Sequence, residues 1–351
     1  MMSWTNKINN TLNKWMKGAG PDSDAVISSR IRLARNLDNL PFPNNASEED
    51  AQEVVKRVEK VLNKDDEFGL KLLELESIPT LEREVMVEKH LISPQHAKPG
   101  VYKALALTDD ESISVMVNEE DHLRMQVLVP GLQLEDAWEL ANRVDDFLES
   151  ELNFAFNEKY GYLTACPTNA GTGMRASVML HLPALSLTRR INEVLRATSQ
   201  LGLAVRGLYG EGTEALGNIY QISNQVTLGP TEEEIIENLQ GVIKQVIEQE
   251  RSAQKMLMKR SKLDLTDTVF RAYGILKNAY KISSKEAMKL LSDVRLGINL
   301  GIIEDIPANL FNELMVLISA PALQRLEGRE LSPEESDEKR AELIRMRVNN
   351  K

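Results

Sequence analysis

Residues 166–178 read CPTNAGTGMRASV: a cysteine beside a proline, a loop with two glycines, and the start of a strand. In the strand, a period of two places alternate residues on a core face and on an accessible face. The core set is Ala176, Val178, Leu180 and Leu182, and the accessible set is Arg175, Ser177, Met179 and His181. Arg175 then projects beside glycines whose N–H groups approach a ligand closely, which suits an anion. An ordinary loop with a core cysteine and a surface arginine explains these residues equally well.

The composition sets the class of protein. A chain of 351 residues with 42% apolar and 27% charged residues predicts a globular protein of about two domains. The net charge of −11 argues against a dedicated nucleic-acid binder and favours basic protein partners. One cysteine, no secretory signal and no apolar run of about 20 residues together predict a cytoplasmic protein that does not bind a membrane.

Arginines recur on the polar faces of other predicted strands, as Arg30, Arg32, Arg124 and Arg206. A basic exposed strand edge explains any one of them. Together with Arg175, in an acidic protein and beside two glycine loops, they predict a polyphosphate site, because arginine binds phosphate bidentately. No Walker-type G-x-x-x-x-G-K-[ST] sequence is present.

Acids accompany these arginines. Glu119 and Glu120 precede Arg124, and Glu211 lies in the glycine-rich segment that follows Arg206. A solvated turn explains the acids equally well. If they face an arginine cage, the nucleophile that suits them is a cation, namely a guanidinium, and phosphoryl transfer to it requires mainly positioning and charge neutralisation.

In this order the motifs resemble those of the ATP:guanidino phosphotransferases, the arginine and creatine kinases. The resembling segments are SSRIR at 28–32, NEEDHLR at 118–124, CPTN at 166–169, RASV at 175–178, RGLYGE at 206–211 and YQISN at 220–224. The resemblance covers roughly residues 24–254 and implies an α+β fold, with an antiparallel β-sheet flanked by helices and followed by an all-α C-terminal domain. The implied boundaries are an N-terminal helical extension (1–23), a catalytic domain (24–254) and a helical C-terminal domain (255–351).

The resemblance also implies roles for individual residues. The implied ATP site comprises Ser28, Ser29, Arg30, Ile31, Arg32, His90, Arg124, Arg175, Ala176, Ser177, Val178, Met179, Arg206, Gly207, Leu208, Tyr209 and Gly210. Within it the arginines hold the phosphates, and His90 lies on the adenine side. Glu120 and Glu211 orient the guanidinium, with Glu120 the expected base, and Cys166 lies against it as a thiolate. Mg²⁺ is expected on the phosphates without a protein ligand. Met179 departs from the histidine that small-molecule kinases usually carry there.

The implied acceptor is an arginine side chain in a protein. Residues 1–27 are too few to form the helical domain that encloses a free amino acid in small-molecule members, whereas a long helical segment follows residue 254. This arrangement resembles the bacterial protein arginine kinases. It implies substrates of the heat-shock repressor type, an activator (McsA) and delivery of marked proteins to a Clp protease. A small-molecule guanidino kinase and a non-catalytic phosphoarginine-binding adaptor remain alternatives, and whether the chain forms a homodimer stays open.

The C-terminal segment offers one further candidate site. Residues 336–341 read SDEKRA, where the related domain often has an Arg-Asp-x-x-Arg-Ala pocket for phosphoarginine. Asp337 and Arg340 fit that pattern, whereas Ser336 replaces the first arginine. An exposed charged helix face explains the residues equally well.

Overall fold

The computed structural model describes residues 12–17, 20–64, 67–207 and 215–349. The strands are β1 (Val26–Arg35), β2 (Lys71–Glu74), β3 (Ala104–Leu107), β4 (Ile113–Val117), β5 (Leu123–Pro130), β6 (Phe156–Asn157), β7 (Gly161–Tyr162), β8 (Met174–His181), β9 (Leu203–Gly207) and β10 (Ile219–Asn224). The helices are α1 (Lys14–Lys17), α2 (Glu48–Leu62), α3 (Thr80–Glu88), α4 (Leu134–Glu149), α5 (Pro183–Leu187), α6 (Ile191–Gln200), α7 (Glu232–Arg260), α8 (Lys262–Asn278), α9 (Ser284–Asn299), α10 (Leu310–Leu317), α11 (Ala320–Glu327) and α12 (Pro333–Asn349). Within these residues, no helix is both long and apolar enough to cross a bilayer.

Eight of the strands form one antiparallel sheet in the order β2-β3-β4-β5-β1-β8-β10-β9. One face is apolar: Ile31 and Leu33 of β1 pack in the same core as Ala176 and Val178 of β8. Helices α4 and α7 cover this face, α4 on β1 and β5 and α7 on β8 and β10. The predicted antiparallel sheet with flanking helices and C-terminal helices is therefore confirmed.

Ser47 with Asp50 and Thr231 with Glu234 have the spacing of capping boxes, which predicts two helix starts, and helices begin at both places. Ser47 and Asp50 satisfy each other's backbone N–H groups at the start of α2, and Thr231 and Glu234 do the same at α7. These side chains bind amide groups that the first helical turn leaves without a partner, so each start is defined locally.

The second face of the sheet is covered at one end. Met179 and His181 were predicted to be accessible, but they are 6% and 0% exposed. Met179 belongs to a core shared with the helices after residue 260. The His181 imidazole hydrogen-bonds Ser292 Oγ of α9 at 2.8 Å. Period two identifies which residues share a face, but a distant helical domain decides whether that face meets water.

The N-terminal helix joins the same second core. An apolar stripe of Trp4, Ile8, Leu12, Trp15 and Met16 predicts a helix over residues 3–17. The structure describes residues 12–17 of this segment and assigns α1 to Lys14–Lys17. Leu12, Trp15 and Met16, three members of the predicted apolar stripe, are buried against α10 and β5.

The residue pattern predicts a strand over residues 225–228 and a single helix from Pro183 to about Ser199, and both predictions are wrong. Residues 225–228 are irregular rather than a strand, because Thr227 hydrogen-bonds the turn at 168–172: its hydroxyl binds Thr168 O and Ala170 O at 3.0 and 2.7 Å, and its carbonyl accepts from Thr172 N. The single helix predicted after Pro183 is two helices, α5 and α6, separated at Arg189, whose φ of +59° cannot continue a helix.

Polar contacts tie the start of β1 to the helices. Arg251 of α7 donates to Asp22 at 2.8 Å and to both oxygens of Asp24 at 2.6 and 2.8 Å. Arg295 of α9 donates to Ser23 O at 2.8 Å. The segment that enters the central strand is thus held by side chains from two later helices.

Candidate active site

Arginines from four strands line one cleft of about 510 Å³ on the polar face of the sheet. They are Arg30, Arg32, Arg124, Arg175 and Arg206. Strand register brings them together. Arg32 of β1 lies opposite Arg175 of β8, and Arg30, two residues earlier in β1, lies on the same face of the sheet. Because neighbouring strands are about 4.8 Å apart, arginines that are distant in sequence become adjacent here.

The electrostatics of the cleft favour an anion. Burial, then the charges of Arg124 and Arg175, lower the pKa of Arg30 to about 10. Burial and then the charges of the neighbouring arginines also lower the pKa of Arg32 well below its usual range. Among the described residues, the buried Arg32 Nε has no hydrogen-bond partner. Like charges held this close together with an unsatisfied donor fit a polyphosphate, which would neutralise the charges and accept the hydrogen bond.

His90, in the segment that follows α3, lines the cleft and shares a small void beside it with Arg30. Its backbone has a φ of +61°, which is uncommon for a residue other than glycine. The Trp15 ring 5.8 Å away, and Gln126 Nε2, which donates to His90 O at 2.7 Å, support this conformation. Burial and then the charges of Arg30 and Arg32 lower the pKa of His90 to about 3, so the ring is neutral. A neutral ring suits a base better than a phosphate.

Not all the residues of the ATP motifs face the cleft. Ser29, Ile31, Ala176 and Val178 are on the apolar side of the sheet, and the Ser29 hydroxyl donates to Gly131 O at 2.8 Å. Ser28, Ser177 and Met179 line a small void next to the cleft, together with His90 and Gln221. Gly207 lines the cleft itself. Leu208, Tyr209, Gly210 and Glu211 lie outside the described residues.

Glu120 lines a smaller pocket of about 90 Å³ that shares three arginines with the cleft: Arg32, Arg124 and Arg175. Its side chain is exposed. Burial of its carboxyl group and then the charges of Asp121 and Glu119 raise the pKa of Glu120. A carboxylate with a raised pKa beside an anion site is suited to accept a proton during the reaction.

Glu119 has a different environment from its neighbour. Both of its oxygens accept from Arg124 Nη1 at 3.0 Å, and Oε1 also accepts from Ser93 Oγ at 2.5 Å. Burial alone would raise the pKa of Glu119, but Arg124 and the hydrogen bonds outweigh it and hold the pKa below its usual value. Glu119 therefore fixes Arg124 in the cleft, a task that the sequence did not distinguish from that of Glu120.

Cys166 is partly exposed at the start of the turn at 167–169, and its Sγ is 3.0 Å from Thr168 Oγ1. The preceding residue, Ala165, donates its N–H to Asp121 Oδ1 at 2.6 Å, and Asn36 Nδ2 donates to the same oxygen at 2.7 Å. Asp121 thus holds the cysteine loop beside the acidic segment. Asn169, from the same turn, lines the Glu120 pocket.

Arg340 is buried, and its guanidinium group is hydrogen-bonded within the protein. It is 4% exposed, and it donates to Ile318 O at 2.8 Å, to Ile282 O at 2.9 Å and to Asp337. The interpretation of residues 336–341 as an exposed charged helix face is therefore wrong for Arg340. Its donors join α12 to the ends of two other segments, and binding of phosphoarginine by Asp337 and Arg340 stays a prediction.

Several cleft residues were not predicted. Gln221 accepts from Arg30 Nη2 at 3.1 Å, and its alternation with the buried Ile222 in a strand was a usable signal. Gln126 also lines the cleft, two residues from Arg124 on the same strand face. Met315 and Val316 of α10 also line the cleft, and nothing in the sequence near them indicates a ligand.

Comparisons with known proteins agree with this geometry. Residues 53–253 match the family described as ATP:guanido phosphotransferase, C-terminal catalytic domain, and residues 262–351 match the Protein-arginine kinase McsB C-terminal domain. The protein-arginine kinase of Halothermothrix orenii is 58% identical over 348 residues, which are 99% of this chain and 100% of that protein. The chain belongs to the protein-arginine kinase family. It is therefore a kinase, and the family resemblance noted in the sequence is confirmed.

Other relatives extend the comparison. The protein-arginine kinase of Symbiobacterium thermophilum is 53% identical over 351 residues, covering 99% of each chain. A crystal structure of lombricine kinase superposes with a TM-score of 0.60 at 23% identity, over 71% of this chain and 76% of that one. At that identity the superposition shows a shared fold.

Proposed function

We propose that this kinase transfers the γ-phosphoryl group of ATP to the guanidinium of arginine side chains in proteins. One observation carries the proposal: the arginine-lined cleft and the Glu120 pocket share Arg32, Arg124 and Arg175. A terminal phosphate held by these three side chains lies next to the carboxylate that would face the acceptor. The names of the relatives in H. orenii and S. thermophilum support the same acceptor.

In the proposed step a guanidinium nitrogen attacks the γ-phosphorus, so a P–N bond forms while the bond to the β,γ-bridging oxygen breaks. The electron pair of the broken bond leaves with ADP. The nitrogen must lose a proton, and because a free guanidinium has a pKa above about 12, it is a poor nucleophile until a carboxylate accepts that proton. Glu120 takes this role, and the arginines stabilise the charge that develops on the phosphate oxygens.

We also propose that Mg²⁺ binds to the phosphates of ATP. Bound there, it would supply additional positive charge to the triphosphate. The arginines orient the triphosphate and Glu119 holds Arg124, so positioning is the chief task of the chain's own residues.

The acceptor separates this proposal from a small-molecule kinase. The test incubates the full chain with Mg-ATP and a basic protein, free arginine or creatine, and locates phosphate by mass spectrometry. The expected result is phosphate on arginine residues of the protein, labile in acid and stable in base. Product on free arginine alone would reject the proposal, and labelling of serine or lysine instead would reject the chemistry.

A matched pair of variants assigns the base. Glu120→Gln should lower kcat by roughly 10²–10⁴-fold, because the amide cannot accept the proton. Glu76→Gln, an exposed change of equal charge in the segment before α3, should leave kcat unchanged. Retention of wild-type turnover by Glu120→Gln would contradict the assignment of Glu120.

The cellular role is proposed on the family relationship alone. We propose that the phosphoarginine mark acts in stress-response regulation, on substrates of the heat-shock repressor type, and directs proteins to a Clp protease in the cytoplasm, with McsA as activator. Formation of a homodimer stays a prediction. Degradation of a purified substrate by a Clp protease only after labelling by this chain would support the role, and equal degradation of unlabelled substrate would contradict it.

A further inference from the structure

The nucleotide cleft is closed on one side by a segment outside the catalytic motifs. Met315 and Val316 belong to α10, within residues 262–351 that match the C-terminal domain. Both are nearly buried, at 5% and 1% exposed, and they share a core with Met179 and Leu128 of the sheet. A helix of the second domain is thus part of the wall of the cleft that holds the five arginines.

The arrangement of the cleft indicates which part of a nucleotide meets this helix. The terminal phosphate belongs at Arg32, Arg124 and Arg175, because the Glu120 pocket adjoins those three. Met179, in the core with α10, is four residues along β8 from Arg175, or about 13 Å at the rise of a strand. The Glu120 pocket includes Leu33 and Ala34 of β1, whereas Ser28, nearer the other end of β1, pairs with Met179. A nucleoside that extends away from the acceptor therefore extends toward α10.

The chemistry of the α10 side suits a base. Met315 and Val316 supply apolar surface to the cleft, and the neutral His90 ring lines the same cleft. Apolar side chains with a few polar groups are typical of the part of a pocket that encloses an aromatic ligand. The sulfur of methionine also makes favourable contacts with aromatic rings.

We propose that Met315 and Val316 form part of the base-binding wall, so that the C-terminal domain contributes directly to recognition of the adenine of the nucleotide. The proposal rests on the use of ATP proposed above. It makes the helical domain a component of the nucleotide site, and it makes Met315 a residue that determines affinity for the base and not for the phosphates.

The test compares two ligands with the same number of phosphates, Mg-ADP and Mg-pyrophosphate, by calorimetric titration of the full chain. Met315→Ala should weaken ADP binding by roughly 3–10-fold, the range expected for partial loss of one apolar contact. Pyrophosphate, which has no base, should bind within about twofold of wild type.

Leu314→Ala is the matched control. Leu314 is the neighbouring residue, is 0% exposed and packs in the same core. Its truncation should lower thermal stability as Met315→Ala does, yet leave ADP affinity within about twofold. Equal weakening of ADP and pyrophosphate in Met315→Ala, unchanged ADP affinity in that variant, or the same ADP loss in Leu314→Ala would each overturn the proposal.

A second measurement, by NMR on the wild-type chain, tests the proposal even if Met315→Ala does not fold. The chain has 13 methionines, so their methyl groups labelled with ¹³C give a countable set of resonances. Met315→Leu, which nearly conserves volume, identifies the Met315 signal by its loss. That signal should shift with Mg-ADP and stay in place with Mg-pyrophosphate, and an unmoved signal with saturating ADP would overturn the proposal.

The outcomes also separate this proposal from the proposed function. If the wild-type chain binds no ADP, the proposed use of ATP fails. If the wild type labels protein arginines and Met315→Ala binds ADP as tightly as the wild type, only the role of α10 fails.

Discussion

Arg32 lies opposite Arg175 on neighbouring strands, and the two guanidinium groups share a cleft with three more. Burial first, and then repulsion among these arginines, lowers the pKa values of Arg30 and Arg32 in the protein without a nucleotide. A site that holds several positive charges together in the free protein binds an anion more tightly. The repulsion among those charges lowers the stability of the fold until the anion is bound.

Arg32→Gln should therefore have opposite effects on turnover and on stability. We expect kcat to fall by roughly 10²–10³-fold, as for the loss of other charge-stabilising donors. Without nucleotide, the melting temperature should rise by a few degrees, roughly 2–4 °C, because a like-charge contact disappears. Arg57→Gln, in an exposed pair with Glu53, removes the same charge and should leave kcat unchanged. A lower melting temperature for Arg32→Gln would show that repulsion at Arg32 does not destabilise the protein without nucleotide.

The raised pKa of Glu120 predicts a pH dependence. Glu120 must be ionised to accept a proton, and its pKa lies above the ordinary 4.5 of a glutamate. Activity is therefore lost, as pH falls, at a higher pH than an ordinary glutamate would give. Asp121→Asn removes one of the charges that raise this pKa, so the acid limb of kcat/KM should move to lower pH. An acid limb that does not move would show that Glu120 is not the titrating base.

At the scale of elements, the short helix α1 supports the part of the cleft wall that contains His90. Trp15 is 1% exposed, its Nε1 donates to Lys89 O at 3.4 Å, and its ring lies beside His90. Removal of the indole would leave a cavity behind the His90 part of the cleft wall. It would also remove one of the two contacts, from Trp15 and Gln126, that support the unusual backbone conformation of His90.

Trp15→Ala should lower the free energy of unfolding by about 3–5 kcal/mol and also weaken Mg-ADP binding. Trp15→Phe keeps most of the apolar volume and loses one long hydrogen bond, so it should cost about 1 kcal/mol and leave ADP affinity nearly unchanged. Urea unfolding and calorimetric titration measure the two effects. Wild-type ADP affinity in Trp15→Ala would show that α1 does not position His90.

At the scale of the whole molecule, the two parts of the chain that match family models share a core. Ile27, Leu128, Met179 and Ile219 of the sheet pack with the C-terminal helices, and Arg251 and Arg295 hold the segment before β1. Separation of the domains would expose this apolar surface to water.

We therefore expect the full chain to unfold in one calorimetric transition whose calorimetric and van 't Hoff enthalpies agree. A fragment of residues 1–254 should bind a hydrophobic dye and associate in gel filtration, because the shared core is then uncovered. Two resolved transitions of the full chain, or a monomeric fragment that binds no dye, would show that the domains are independent.

Much of the fold and part of the site were determined by the sequence alone. Alternation predicted β8 and placed its arginine on a polar face, the capping boxes defined the starts of α2 and α7, and the order of the motifs identified the family. These features are local, since side-chain period and hydrogen bonds three residues apart do not depend on distant parts of the chain.

Only the tertiary structure decided which of these residues meet. The pairing of Arg32 with Arg175 depends on register between strands more than a hundred residues apart, and the different environments of Glu119 and Glu120 depend on Arg124 and Ser93. Burial of Met179 and His181, and the place of Met315 in the cleft, depend on a helical domain that packs on the sheet from the end of the chain. A sequence pattern specifies the character of a face, whereas packing specifies what covers it.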